Sequence, residues 1–448
     1  MKIRFWWNAF IEIEINNYKI VCDPWINEIK PGYGWKPNCP FEVDKVYECI
    51  NSSNLIYISH IHYDHYDPSL LHNSNLNKDI PFLIPKLKNN HLSKSLKNNF
   101  PNPIIELTPF LKKELSKNVE LCLVPQMSSS SSNKDGIGYD MDSSLIIHDL
   151  YDGSTFFNTV DNSLSPENFS AIKDMNLYPK FDLLTLPCGS ACEYPQSYLG
   201  IDREYERKRL KEISYETIKR QINALDCSNF INAGGEYSIC HSLNDLERYK
   251  VFQDLNDLKR VAKETGKNYV HIKMEQEIFI TKGQIIVNNL QESFRLRSKK
   301  NLSNKESLNN TEANSKFIPF DGFNEKSLMN ELDIAKSSLY KKIDNLNLNF
   351  DNKLEIKIYI YPNIPSVKSS TEYLKISDKP IGTFELLKPK GEKKERTIDL
   401  HCSVQLLIDC INKKTSWNTA LTSSSILIER TPNIYNPADQ HIINFAVK

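Results

Sequence analysis

The stretch Leu55-Ile56-Tyr57-Ile58-Ser59-His60-Ile61-His62-Tyr63-Asp64-His65-Tyr66-Asp67-Pro68 decides how this chain is read. Its first four residues form a short apolar run, the pattern of a strand buried on both faces. Asp67-Pro68 has the form of a helix N-cap followed by proline at the first helical position. Between strand and helix lie three histidines and an aspartate within six residues, in a chain of 448 residues that holds only 10 histidines. A strand-to-helix loop at the carboxyl end of a strand is a favoured place for ligand sites in α/β proteins. On a tight loop His60 and His62, two residues apart, can both turn toward one metal ion, while Asp64 and His65 face a second. Imidazole suits Zn and Fe, and carboxylates add hard oxygen donors. Two ions roughly 3.5–4 Å apart can generate a nucleophile and clamp a substrate oxygen, or activate O₂ if both are iron. A distant aspartate could bridge them.

Working outward, Ile11, Ile13 and Ile15 alternate with Glu12 and Glu14, which predicts a strand. Asn16-Asn17 then turns the chain into a second strand over 18–22, closed by Asp23-Pro24-Trp25. Downstream, apolar runs predict strands at 80–84, 120–124 and 183–186, with a hairpin of 144–147 and 154–157 about Asp152-Gly153. The charged, apolar-periodic stretch 204–225 predicts a helix. Residues 296–316 are mostly Ser, Asn, Lys and Glu without apolar period, which predicts a linker or insertion. The expected organisation is a catalytic α/β domain over 1–295, the linker 296–316, and a smaller α+β part over 317–448 that packs back on the first. There is no internal repeat.

Composition excludes some partners. Lys+Arg and Asp+Glu both number 56, a net charge of zero, which argues against nucleic acid. No apolar run approaches the roughly 18 residues of a membrane span. The opening residues Met1-Lys2-Ile3-Arg4-Phe5-Trp6-Trp7 lack a signal-peptide pattern. The 10 scattered cysteines read as thiols of a reducing compartment, so a cytoplasmic location is expected. Cys188 and Cys192 are spaced unlike a CxxC pair and read as unreactive thiols, while Gly189-Ser190-Ala191 between them could let backbone approach a ligand. The basic residues along 203–219 read as a solvated helix face. Trp25 and Trp35 are candidates either to stack on a base or sugar or to fill the core.

The HxHxDH loop after its strand resembles the metallo-β-lactamase superfamily, an αββα sandwich with its metals at one sheet edge. The chain also resembles the catalytic part of CMP-N-acetylneuraminate hydroxylase and its bacterial relatives. The residues that carry this second resemblance run in order along nearly the whole chain. They are Asp23-Pro24-Trp25, Gly34-Trp35, the 55–65 loop, Met141-Asp142-Ser143 and Asn158-Thr159-Val160-Asp161. Tyr194-Pro195, Ala233-Gly234 with His241, Trp417, Arg430, Pro432, Ile434-Tyr435 and Asn444-Phe445 complete the set. Residues of about 250 to 400 match poorly. The resemblance implies that Asp161 is the bridging carboxylate and His241 the late histidine of the second metal site. It also sets the loop after Cys188 beside the site, and Tyr194 joins Trp25 and Trp35 as a candidate substrate contact. Hydrolases of the superfamily usually place a further histidine before the hairpin that leads to the bridging aspartate. Here no histidine lies between His91 and His148, and the loop offers Asp135, Asp140 and Asp142 instead. Asp142 aligns best with the family landmark, Asp140 and Asp135 suit the distance, and all three stay open. Oxygen donors there shift metal preference from Zn toward Fe or Mn.

These readings lead to three expectations. The first is a di-iron oxygenase acting on a sugar nucleotide or similar polar metabolite, with Asp64 and Asp161 at the reaction centre. A Rieske centre needs Cys/His pairs in short motifs, and this chain shows none, so electrons would come from a separate donor or the substrate. The second is a hydrolase of a phosphodiester, ester or lactone, in which a metal-bridging hydroxide attacks while Asp64 orients it or takes a proton. The third is a binding module without catalysis.

Overall fold

The alternation of apolar and polar residues builds two sheets that share one core. The computed structural model describes residues 1–88, 90–127, 142–187, 189, 192–288, 325–345, 354–369, 374–389, 395–434, 439 and 442–447. The expected linker at 296–316 lies outside these described residues, as do Asp135, Asp140 and Cys188.

The first sheet has eight strands, in the spatial order Gln284–Asn288, Glu277–Thr281, Lys2–Trp7, Phe10–Ile15, Tyr18–Cys22, Leu55–Tyr57, Phe82–Pro85 and Ile104–Leu107. Its N-terminal strands pair antiparallel, and from Tyr18–Cys22 onward the pairing is parallel. The hairpin expected at 11–22 is thus part of a three-stranded meander, because Lys2–Trp7 adds a strand on its outer side. The second sheet has seven strands, in the order Asn268–Tyr269, Asn229–Asn232, Leu183–Leu186, Thr155–Asn158, Ser143–Asp149, Val119–Pro125 and Lys113–Ser116.

Strand period two explains how the sheets stack. Leu55 and Tyr57 point into a shared core with Ile11, Ile13, Ile20 and Leu83 of their own sheet and Leu123, Leu145, Ile147, Phe156 and Leu183 of the other. Ile56 points the opposite way, onto the helices Val43–Asn51, Pro68–Asn73 and His91–Asn99. Ile146, Phe157, Leu184 and Phe230 meet the helices Pro166–Asp174, Arg203–Leu225 and Leu255–Thr265 on the outer face of the second sheet. The layers are helix, sheet, sheet, helix, the αββα sandwich that the resemblance implies.

A smaller α+β part follows. Four strands, Gly382–Leu387, Leu354–Tyr361, Arg396–Ser403 and Leu427–Thr431, carry the helices Glu325–Asn345, Val404–Ile411 and Trp417–Thr422 on one face. Tyr198 and Ile201 of the sandwich join its core, and Leu199 donates to Ile428 O at 2.7 Å. Among the described residues, no helix is long and apolar enough to cross a membrane.

The inter-sheet layer is tested at Phe156, which is fully buried. Phe156→Ala removes a ring from a close-packed layer and is expected to cost about 3–5 kcal/mol, read as a lower urea midpoint with an unchanged slope.

Candidate metal centre

Among the described residues, the candidate ligands other than His241 sit at one end of the two sheets, with Asp23 beside them. Asp23 follows Tyr18–Cys22, the 59–65 loop follows Leu55–Tyr57, Asp161 follows Thr155–Asn158, and Asp142 immediately precedes Ser143–Asp149. Asp67 caps the next helix by accepting from Leu70 N–H at 2.9 Å, with Pro68 at the first position, as the sequence predicts. The loop is therefore pinned between a buried strand and a capped helix.

His60, His65 and Asp161 each offer a ligand atom within 4.8 Å of the others. His65 Nε2 lies 3.2 Å from Asp161 Oδ2 and 3.6 Å from Asp64 Oδ2. His60 Nε2 lies 2.8 Å from His62 Nδ1 and 3.8 Å from Asp142 Oδ1. Two of these atoms, His65 Nε2 and Asp142 Oδ1, are buried without a hydrogen-bond partner. Buried polar atoms are rarely left so, and a cluster of imidazoles and carboxylates is a donor set that cations satisfy. The residues present thus fit a metal centre. Asp142 stands at the cluster among the three aspartates of the preceding loop; Asp135 and Asp140 lie outside the described residues.

The supporting contacts come from residues that the motif does not reveal. Asp23 is fully buried. Its carboxylate accepts from Ser59 N–H at 2.7 Å and Ser59 Oγ–H at 2.6 Å, and its Oδ2 lies 3.0 Å from His65 Nδ1. A carboxylate on the far nitrogen of a ligating histidine sets both tautomer and ring orientation. Ser59 Oγ also lies 2.9 Å from His60 Nδ1. Across the sheets, Ser143 Oγ donates to Ser59 O at 2.9 Å and lies 2.8 Å from Tyr57 OH, which ties the Asp142 strand to the histidine loop. Asp161 is reached through the strained turn at Val160 (φ 54°), held where Thr159 N–H donates to Thr185 Oγ1 at 2.8 Å. Gly234 packs under that carboxylate with φ +104°, and a Cβ there would come within 3.2 Å of Asp161 Oδ1. The sequence signals for Asp23 are its place in the Asp23-Pro24-Trp25 landmark and an acidic residue directly after the apolar run Ile20-Val21-Cys22.

Charge follows this geometry. Burial pushes the His60 imidazole well below its ordinary pKa, and His65 and His62 add to the effect, so it stands neutral and ready to ligate. Burial works against a charged His65, but Asp64, Asp161 and Asp23 outweigh it and hold its pKa well above the ordinary value. Burial resists ionisation of Asp161 as well, yet His65 keeps its carboxyl below the usual range. Asp142 is raised to about 6, chiefly by burial, with His62 and His65 opposing the rise and Asp161 and Asp64 adding to it.

The cluster opens into a cavity of about 570 Å³. Its lining includes Trp35, Tyr63 and Tyr66 of the sandwich and Ser416, Asn418, Thr419 and Thr422 of the C-terminal part. Other proposed residues lie elsewhere. Trp25 is in the interior with Ile29, Tyr237 and Ile239, its indole N–H donating to Asn27 O at 2.7 Å, so it packs rather than lines the cavity. Tyr194 donates to Glu206 at 2.8 Å beneath Arg430, also away from the cavity. His241 is not drawn into the cluster: its Nε2 lies 2.7 Å from Ser423 O, and its Nδ1 accepts from Leu243 N–H. Cys192 is half-buried and its thiol donates to Tyr194 O at 3.2 Å.

A histidine-aspartate loop at the carboxyl end of a parallel strand, on the edge of a four-layer sandwich, decides the fold type. It is a metallo-β-lactamase-type fold. No family profile matches the chain. It is 27% identical over 169 residues to the cytidine monophosphate-N-acetylneuraminic acid hydroxylase of Xenopus laevis, a match that covers 36% of this chain and 26% of that relative. The matched stretch thus spans about a quarter of the relative's length. Among solved structures, the chain is similar to CmlA, a diiron beta-hydroxylase from Streptomyces venezuelae, at 10% identity and a TM-score of 0.41. That likeness covers 64% of this chain and 54% of CmlA. It is also similar to the metallo-beta-lactamase fold protein YhfI from Bacillus subtilis, at 11% identity and a TM-score of 0.38, covering 64% of this chain and 98% of YhfI.

Two outcomes follow from the site. Asp23→Asn keeps an acceptor for Ser59 but loses the charge beside His65, and is expected to weaken metal binding roughly 10–100-fold in a chelator competition titration. Metal must also displace the proton held on His65 and, below about pH 6, that on Asp142. Binding is therefore expected to release protons at neutral pH and to tighten as pH rises. Calorimetry in buffers of differing ionisation heat reads that release.

Proposed function

We propose that the protein is a dinuclear metal-dependent oxygenase acting on a polar small molecule, with a sugar nucleotide or a similar metabolite as the substrate class. The observation that carries this reading is the donor set. Asp142 approaches His60 where hydrolases of this fold usually place a histidine, and oxygen-rich sets favour iron over zinc. The similarity to a hydroxylase over 169 residues supports the same choice.

In this reading His60, His62 and Asp142 would hold one ion, Asp64 and His65 would hold the other, and Asp161 would serve as a carboxylate available to both. Two iron ions would supply the redox capacity and Lewis acidity that side chains lack. The chain's own part is positioning. Asp23 and Ser59 keep the two histidine rings aimed inward. The cavity is of a size suited to a small metabolite. Among the residues lining it, Trp35 and Tyr63 are aromatic, and the hydroxyls and carboxamide of 416–422 are uncharged hydrogen-bonding groups. Two electrons per O₂ are required when one oxygen atom enters the product and the other leaves as water, and a separate donor protein would supply them.

A hydrolase is the second reading, favoured by the complete His60-x-His62-x-Asp64-His65 loop. One experiment separates the two. Protein purified without added metal is analysed for iron and zinc, then assayed for reductant-dependent O₂ uptake and for hydrolysis of bis(p-nitrophenyl) phosphate and a lactone panel. Iron with O₂ uptake, lost in His60→Ala, is expected. Two zinc ions, no iron and zinc-restored hydrolysis would overturn the oxygenase reading.

A further inference from the structure

The C-terminal part contributes more to the cavity than a wall. Asn418 Nδ2 lies 3.5 Å from His62 Nε2, a contact between residues 356 positions apart. The other nitrogen of the same ring, Nδ1, lies 2.8 Å from His60 Nε2. A neutral imidazole carries one proton, so its two nitrogens must play opposite roles. As arranged, His62 Nδ1–H can donate to His60 while Nε2 accepts from the Asn418 amide. If His62 ligates through Nδ1, which faces His60, that proton must move to Nε2, and Nε2–H then needs an acceptor. A carboxamide turned by half a rotation presents its oxygen to the same atom. Asparagine is thus a side chain that can serve both tautomers from one place.

Asn418 is held firmly enough for that task. Its helix is capped by Ser416, whose hydroxyl accepts from Thr419 N–H at 2.9 Å. Trp417, fully buried, donates to Ala446 O at 2.9 Å. The turn after the helix is clamped to the sandwich through Ser423 O at His241, Ser424 at Ser197 Oγ (2.9 Å), and Ser425 at Tyr33 O. Lys30 and Asp409 add an ion pair at 2.9 Å.

We infer that Asn418 is a positioning residue of the metal centre, which orients His62 from the C-terminal part and supports at Nε2 whichever tautomer its Nδ1 requires. The inference rests on the metal-centre reading above. The test uses the full chain, Zn(II) as a diamagnetic probe, and the variants Asn418→Leu and Asn418→Asp, the second being an acceptor alone. Asn418→Leu is expected to weaken Zn(II) binding about 10–100-fold, with far-UV circular dichroism unchanged. Asn418→Asp is expected to stay within the same order of magnitude as the natural protein. Nitrogen-15 spectra of histidine-labelled protein should show His62 as the Nδ1–H tautomer without metal and the Nε2–H tautomer with Zn(II). Equal Zn(II) affinity and equal tautomer populations in Asn418→Leu and the natural protein would overturn the inference alone, as would an equal loss in Asp and Leu. Failure of the natural protein to bind Zn(II) or Fe(II) would instead overturn the metal-centre reading, and the inference with it.

Discussion

A buried carboxylate organises this molecule. Asp23 has no access to solvent, and an unpaired charge there would be costly. Its oxygens are satisfied by the amide and hydroxyl of Ser59 and by the ring of His65, so the strand end and the histidine loop can take one arrangement. Remove the carboxylate and three buried groups, the amide and hydroxyl of Ser59 and the ring nitrogen of His65, lose their partner together. The same contacts that relieve the desolvation cost also aim His60 and His65 at a common point.

The arrangement gathers groups that repel or desolvate one another. Asp64, Asp142 and Asp161 converge from three separate segments onto rings that crowd each other, His60 and His65 standing 4.1 Å apart between ring centres. In a protein interior that convergence is tolerated where a cation completes it. The sandwich supplies the rigidity, since its inter-sheet layer is close-packed and cross-linked beside the site by Tyr57, Ser143 and Ser59. The smaller part adds hydroxyl and amide groups to the cavity lining, which cost less to desolvate than charges and discriminate by hydrogen-bond geometry.

How much of this is written in the order of residues can be judged element by element. The alternation of Ile11, Ile13 and Ile15 and the run Leu55–Tyr57 announce strands because period two is a local property of the backbone. The cap at Asp67-Pro68 is legible for the same reason. The Lys2–Trp7 strand carries the same signal in Lys2-Ile3-Arg4-Phe5, blurred by the adjoining Trp6-Trp7, and its place in the sheet comes from pairing with Phe10–Ile15 and Glu277–Thr281. Trp25 and Trp35 look alike as sequence and share one interior cluster, yet only Trp35 also borders the cavity. Composition does not say which face of a loop a ring will take.

The residue order alone therefore established the chemistry of the loop: three imidazoles and a carboxylate, spaced so that short-range backbone geometry brings them to one place. It also established the layered α/β class, because hydrophobic period is a local signal. Folding in three dimensions settled the partners. That Asp142 nears His60, that Asp23 and not another acid supports His65, that His241 turns to Ser423, and that Asn418 reaches His62 all depend on how distant segments close on one another. Those distances are set by the packing of two sheets and a second core, and no stretch of sequence contains them.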